Sequence, residues 1–424
     1  MSIYFLPYGR SELKVELNAH FQIDEIQPAR TNPIKDVKLV VQRALEKPLG
    51  KHNLKDFLNV RSVGIAINDK TRPIPKPNPL PLLLDHLEKL GFSKKSIKLF
   101  IGSGTHSPMS EDDYGMIYPR SIINHYEIIP HDCDNSEMVS LGKTSFGTPI
   151  KINQKFYSCQ LKITVGNIEP HHFMGFSGGV KTAAIGLASR ETITHNHAML
   201  TDKQARSGTY HRNPLRQDIE EIGQKLNIQF TLGTILEEDK TILGLFFGDP
   251  QAVMEAAVPE IRNIFGVEVT KPYNLIIASP GGFPKDINLY QAEKGLTHAA
   301  RIARKGGNVI LVAECLEGSG SPSFENYVTK ARTFQSIIED FNQGFFQIGP
   351  HKAYQIAREA QRVNITLVSN LPLQAVEKWK LTPGKPQEIN QIIERYTSNL
   401  PEDARIAVMP AATRTMTEIK NEKE

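Results

Sequence analysis

The sequence predicts an α/β protein of two domains, each with a mostly parallel sheet flanked by helices. Three observations carry that expectation. Short β-branched runs recur at residues 63–67 (VGIAI), 97–101 (IKLFI) and 161–165 (LKITV), then at 275–278, 309–313, 365–368 and 406–409. The first three run straight into Asn68-Asp69, Gly102-Ser103-Gly104 and Gly166-Asn167, as buried strands that end in turns do. Residues 80–90, leucine-rich on one side and charged on the other, read as an amphipathic helix between two of these strands. Strand–helix–strand order requires a parallel sheet with helices on both faces, and ligands then bind at the carboxyl ends of the strands. Finally, 424 residues exceed one ordinary core. Residues 251–265 read as a helix and 269–274 as a linker, which divides the chain into 1–270 and 271–424. The proline-rich stretch 73–81 reads as a rigid extended loop, and the charged tail 415–424 as a frayed end.

Composition excludes several function classes. Apolar residues at 40% and charged residues at 23% describe a globular protein. The net charge of +4 comes from scattered residues, so nucleic acid is not expected as a partner, whereas small anions suit the balance. Cys133, Cys159 and Cys315 are far apart, odd in number and form no CxxC. That argues against disulfides and zinc knuckles and for a reducing, cytoplasmic setting. Residues 1–15 lack the apolar core of a secretion signal, and no run of about 18 apolar residues exists to enter a membrane.

The densest chemistry lies in residues 167–200, NIEPHHFMGFSGGVKTAAIGLASRETITHNHAML, which hold His171, His172, His195 and His197. Between them Gly175-Phe176-Ser177-Gly178-Gly179-Val180-Lys181-Thr182 forms a glycine-rich turn ahead of a helix-like run, an arrangement that invites a phosphate. It narrowly misses the P-loop pattern because Val180 stands where glycine is required. By itself such a turn is more often a plain strand-to-helix connection; the four histidines shift that balance. Within each histidine pair the side chains diverge, so one of each is expected to be functional, with His172 and His195 taken as structural or surface residues.

Other clusters join this one. Asp69-Lys70-Thr71-Arg72-Pro73 follows the first strand, and Arg72 there can clamp a carboxylate or phosphate. Gly102-Ser103-Gly104-Thr105-His106 follows the next, placing His106 where a general base would stand. The plain alternatives are a surface ion pair for Arg72 and a helix-capping loop histidine for His106. In the second half, Tyr290 and Lys294 would share a helix face with Gln291 at its border. That is either a solvated helix start or an anion-binding trio facing a cleft.

Taken in order, DKTRP, GTH, PHHFMGFSGGVK, HNH, GTYHRNPLRQD and NLYQAEK give a chain that resembles the nickel-pincer lactate racemase family over most of its length. The resemblance implies an isomerase that racemises or epimerises a small 2-hydroxy acid, with its active site in the cleft between the domains. Residues 1–270 would bind cofactor and catalyse, and 271–424 would close over the substrate. Lys181 would carry the cofactor covalently, a nickel-pincer nucleotide (pyridinium-3-thioamide-5-thiocarboxylic acid mononucleotide with Ni2+). His197, 16 residues later, would complete the metal coordination. His106 and His171 would be the acid/base pair, with Lys294 in the catalytic set. Asp69, Thr71, Ser177, Gly178 and Gly179 would seat the cofactor, while Arg72, Tyr290, Gln291 and Lys294 would bind substrate. Cofactor-loading proteins are implied as partners. The family often has Arg where this chain has Ser107, and Pro-Gly where it has Ile185-Gly186, which leaves the particular 2-hydroxy acid open.

Chemically, hydride removal suits a carbon beside a carboxylate, where a carbanion is poorly stabilised. Two imidazoles near their ordinary pKa of about 6.5 suit proton transfer on either side, and sulfur ligands with one imidazole suit nickel. Two competing readings remain. A nucleoside triphosphatase or kinase using GFSGGVKT is disfavoured by Val180; a non-catalytic cofactor carrier would need no pair of bases.

Overall fold

A computed structural model describes residues 1–420. The chain forms two compact units, Thr31–Asn263 and, together, Met1–Arg30 with Ile264–Glu424. The break at 263/264 lies close to the expected boundary at 270, but the first thirty residues go with the C-terminal unit rather than with 31–270. The reason is strand pairing and burial. Gln22–Glu25 forms the edge strand beside Arg405–Met409. The hairpin of Ser2–Tyr8 and Ser11–Leu17 puts Leu6, Tyr8, Val15 and Leu17 into the same core as Leu275, Ile277 and Ile310. Alternate residues of the hairpin stay exposed, the period-2 pattern of a half-covered ribbon.

In the unit Thr31–Asn263 the six-stranded sheet runs in the order Ile242–Gly248, Phe230–Leu236, Leu161–Asn167, Val63–Asn68, Ile97–Gly102, Glu127–Pro130. The first of these pairs antiparallel and the other five are parallel. The expected strands at 63, 97 and 161 are the central three. Their apolar residues pack with Leu83, Leu84 and Leu87 of the helix Leu80–Lys89 in one core. The helix Pro250–Phe265 closes the segment.

The other unit holds a six-stranded, all-parallel sheet in the order Thr382–Gly384, Asn364–Val368, Ala303–Val312, Tyr273–Ala278, Arg405–Met409, Gln22–Glu25. Two local expectations fail. The linker expected at 269–274 shrinks to residues 270–272, since one strand ends at Val269 and the next starts at Tyr273. Met416–Ile419 does not fray: it pairs with Gly266–Val269 and buries Met416 and Thr417; residues 421–424 of the expected frayed tail lie outside the described residues. The three cysteines are buried and unlinked. Among the described residues no helix is long and apolar enough to cross a membrane.

Two outcomes follow. Leu6 is fully buried, so Leu6→Ala should cost about 2–5 kcal/mol in urea unfolding; a neutral result would show that the hairpin does not belong to the C-terminal unit's core. His298 is buried, with Nδ1 donating to the Ala412 carbonyl at 2.8 Å, and burial pushes its imidazole down to about 4. It stays neutral when folded and takes a proton when unfolded, so its contribution is intact above about pH 6.5 and is lost as pH falls towards 4. Between about pH 7.5 and about pH 5 the native chain should lose about 2 kcal/mol from this group. His298→Asn should flatten the slope of stability against pH by that amount; an unchanged slope contradicts it.

Candidate active site

Asn68, Gly102 and Asn167 end three neighbouring parallel strands. The ladder sets Asn68 opposite Gly102 and Ile67 opposite Val165, with Asn167 two residues further on, so the polar segments that follow meet at one edge of the sheet. There they surround an open cavity of about 80 Å³. Asp69, Arg72, His106, Ser177, Gly178 and Lys181, distant in sequence, line it together.

Backbone contact brings Lys181 to this edge. A Cβ on Gly102 would stand 2.6 Å from the Thr182 carbonyl oxygen, and one on Gly186 would stand 2.1 Å from that same oxygen. Both are well inside contact distance, so glycine on each side lets the lysine turn rest on the strand end. The chain reaches Lys181 through Gly178 and Gly179 at φ +74° and +60°. A Cβ on Gly178 would also stand 2.8 Å from the Asn167 carbonyl. Lys181–Ala184 is a single helical turn. It lacks the length over which peptide dipoles add up at a phosphate, which adds to Val180 as an argument against the triphosphatase alternative.

The glycine turn is held from behind. Arg216 is fully buried, and its Nη1 donates to the carbonyls of Phe176 at 3.2 Å and Gly178 at 3.1 Å. Its Nε and Nη2 donate to Glu220, which also accepts from the Tyr210 hydroxyl. Arg216 lies on the helix Pro214–Lys225, capped by Asn213, whose amide also donates to the Phe173 carbonyl at 2.8 Å.

The two expected acid/base histidines have different surroundings. Asp69 Oδ2 lies 2.8 Å from His106 Nδ1, and the Thr71 hydroxyl donates to Asp69 Oδ1 at 2.6 Å. A carboxylate only accepts, so the His106 proton sits on Nδ1 and Nε2 is the basic nitrogen. Burial would raise the Asp69 carboxyl, but hydrogen bonds from His106 and Thr71 outweigh it and hold the group below the usual carboxylate range. His171 stands outside the lining of this cavity. Its Nδ1 accepts from the Met174 amide at 3.2 Å, which places the neutral ring's proton on Nε2.

His171 and His172 stack 4.6 Å apart, and the Phe173 ring meets both edge-on. Phe173 also meets His197, at 5.2 Å between ring centres. Burial, then the Lys181 charge, pushes the His197 imidazole down to about 3, leaving a neutral ring near the lysine. His195, on the same helix Arg190–Ala198, is exposed and bonded to Thr148 instead. In the other unit, Tyr290, Gln291 and Lys294 open the helix Leu289–Ile302, with Lys294 Nζ donating to Gln291 Oε1 at 2.8 Å. Behind them, buried Glu293 pairs with Lys352 at 2.7 Å, and Lys352 Nζ stands 4.9 Å over the Tyr290 ring.

Sequence reasoning passed over several residues. Ser103 lines the cavity, and its buried hydroxyl lacks a hydrogen-bond partner, an unfavourable state that a bound polar group would relieve. Asn196, Asn213, Arg216 and Asp218 are fully buried polar residues. Asn213-Pro214 is a legible helix start; Arg216 flanks the Leu215–Ile219–Ile222 stripe, where a long cation ordinarily snorkels to water.

Comparison with known proteins identifies the family. The model of the lactate racemase N-terminal domain matches residues 8–208 and that of the lactate racemase C-terminal domain matches residues 269–416. The chain is 29% identical over 416 residues to the lactate racemase of Thermoanaerobacterium thermosaccharolyticum, covering 96% of each chain. It is 32% identical over 325 residues to that of Lactiplantibacillus plantarum, covering 75% of this chain and 76% of the relative. The solved lactate racemase apoprotein from T. thermosaccharolyticum superposes with a TM-score of 0.89 at 28% identity, over 98% of this chain and 100% of that one. A Thermotoga maritima protein of solved structure shares the fold at 18% identity, with a TM-score of 0.62 over 92% of this chain and 100% of that one. The chain belongs to the lactate racemase family and is an isomerase of the racemase class.

Proposed function

We propose that the chain interconverts the two enantiomers of lactate or a closely related small 2-hydroxy acid, using a nickel-pincer nucleotide tethered to Lys181. The observation that carries this reading is His106, held through Nδ1 by Asp69, in the same cavity as Lys181 and Arg72. The residues present fit such a group. Ser103 offers a buried hydroxyl in need of a partner, the turn at Ser177, Gly178 and Gly179 with Asp69 and Thr71 makes the seat, and neutral His197 near Lys181 supplies an imidazole ligand. When bound, the electron-poor, metal-bearing ring supplies reversible hydride acceptance at the substrate carbon. Loading at Lys181 would fall to dedicated partner proteins.

The chain's own residues handle charge and protons. Arg72 offers two parallel donors to the substrate carboxylate, and Tyr290, Gln291 and Lys294 are the proposed contribution of the C-terminal unit to the same anion. His106 Nε2 accepts the hydroxyl proton, and the Asp69 carboxylate stabilises the imidazolium that forms. His171 serves as the acid from its doubly protonated form, which gives up the Met174 contact at Nδ1, and it returns a proton to the oxygen when the opposite configuration is made. Racemisation needs one base and one acid that exchange roles, and the Asp69 hydrogen bond at Nδ1 presets His106 as the base.

Ile185 lines the cavity and Ser107 follows His106, so these two positions are where a preference among 2-hydroxy acids would reside. Lys181→Ala should abolish both the cofactor mass increment in an intact-mass spectrum of natively loaded protein and its nickel content; retention of both would overturn the tether. His106→Gln and His171→Gln, each with cofactor still loaded, should lower kcat/KM for racemisation by about 10²–10⁴-fold, followed as loss of optical rotation. Activity within a few-fold of the native chain would remove that residue from the mechanism.

A further inference from the structure

Behind His197 lies a fully buried polar chain that catalysis as proposed above does not use. Asp218 and Asn196 are completely buried. The Asn196 amide nitrogen donates to Asp218 Oδ2 at 2.8 Å and to the Leu215 carbonyl at 3.0 Å, so both of its hydrogens are committed. Its Oδ1 is thereby turned to His197 Nδ1, 3.1 Å away. An amide oxygen only accepts, so this edge of the ring must carry the proton. The Ile193 carbonyl, one turn earlier, is a further partner of the ring, but as a helical carbonyl it already serves a backbone N–H. Asp218 is itself fixed by the Thr144 hydroxyl on Oδ1 at 2.5 Å and the Thr148 hydroxyl on Oδ2 at 2.9 Å.

We infer that Asp218, acting through Asn196, is a positioning residue that sets the His197 tautomer, holding the proton on Nδ1 and leaving Nε2 as the ligating nitrogen. A metal-bound histidine is ordinarily oriented in this way by the partner of its other nitrogen. Here the device is an amide relay, with the carboxylate one step removed. The amide aligns the ring without placing a negative charge against it, so the site's charge stays with Lys181 and the bound group. This inference rests on the reading of His197 as the metal ligand for its purpose, but not for its observation.

Its test therefore uses the full-length chain without cofactor. Two-bond ¹H–¹⁵N correlation on histidine-labelled protein reports which ring nitrogen carries the proton. The native chain should show His197 protonated at Nδ1. Asn196→Ala should shift a substantial share to the Nε2–H form while His195, tied to Thr148, keeps its signals; general damage to the helix would move both. The exchange pair Asn196→Asp with Asp218→Asn keeps the net charge and an acceptor facing His197 Nδ1, and it should retain the Nδ1–H form should the alanine variant fail to fold. After loading, Asn196→Ala should lose nickel affinity on the order of tenfold or more. A native His197 protonated at Nε2, or Asn196→Ala with unchanged His197 signals, overturns the inference. Loss of the tautomer with undiminished nickel binding would uphold the relay and instead refute His197 as the ligand.

Discussion

The grip of the buried Arg216 guanidinium on the carbonyls of Phe176 and Gly178 is the constraint on which the site depends. Two successive residues with positive φ make a turn that has many alternatives in an unfolded chain. Carbonyls buried without partners would be costly; Arg216 supplies the donors, and Glu220 neutralises the charge. A buried cation paired in this way is tolerable only with its hydrogen bonds complete, so the turn is held in one shape. The helix Pro214–Lys225 repeats the device along its length. Asn213 holds Phe173, Arg216 holds the glycine turn, and Asp218 holds Asn196 beside His197. One helix thus fixes the aromatic cluster, the lysine turn and the histidine helix relative to each other.

Electrostatics divides the labour among similar side chains. Three imidazoles are given different faces by what touches Nδ1: a carboxylate at His106, a backbone amide at His171, an amide oxygen at His197. The ring's two nitrogens are chemically distinct once one of them is engaged. Different roles can therefore be drawn from one residue type, helped by exposure: His106 is open to solvent, whereas burial holds His197 neutral. Asp69 is the only charged member of these Nδ1 partners, and the Thr71 and His106 hydrogen bonds keep it ionised despite its burial.

Much of the fold was legible because it follows from local pattern. The three central strands at 63, 97 and 161 and the leucine-rich helix after the first are short, strongly apolar and bounded by turn residues. Chain order alone could not tell that Gln22–Glu25 pairs with Arg405–Met409, nearly four hundred residues away, or that the hairpin before it covers the second core. In the site, residues carrying overt chemistry, such as His106, Lys181 and Arg72, announced themselves by position after strands. The residues that hold them did not. Arg216 and Asp218 look like the polar face of a surface helix, and their meaning appears only once both sides of that helix are buried. At the Lys181 turn a helix-like run was legible after the glycines, but its extent was not: the helix stops after one turn, where Gly186 packs on Gly102.

Anomalous diffraction at the nickel edge, on crystals of natively loaded protein, tests the central claim most directly. The account predicts a single strong peak within bonding distance of His197 Nε2, with continuous density from the bound group to Lys181 Nζ. A peak elsewhere, such as at the Asp132, Cys133 and Asp134 turn, where three ligand atoms lie within 4.8 Å of one another, or density that does not reach Lys181, would contradict it.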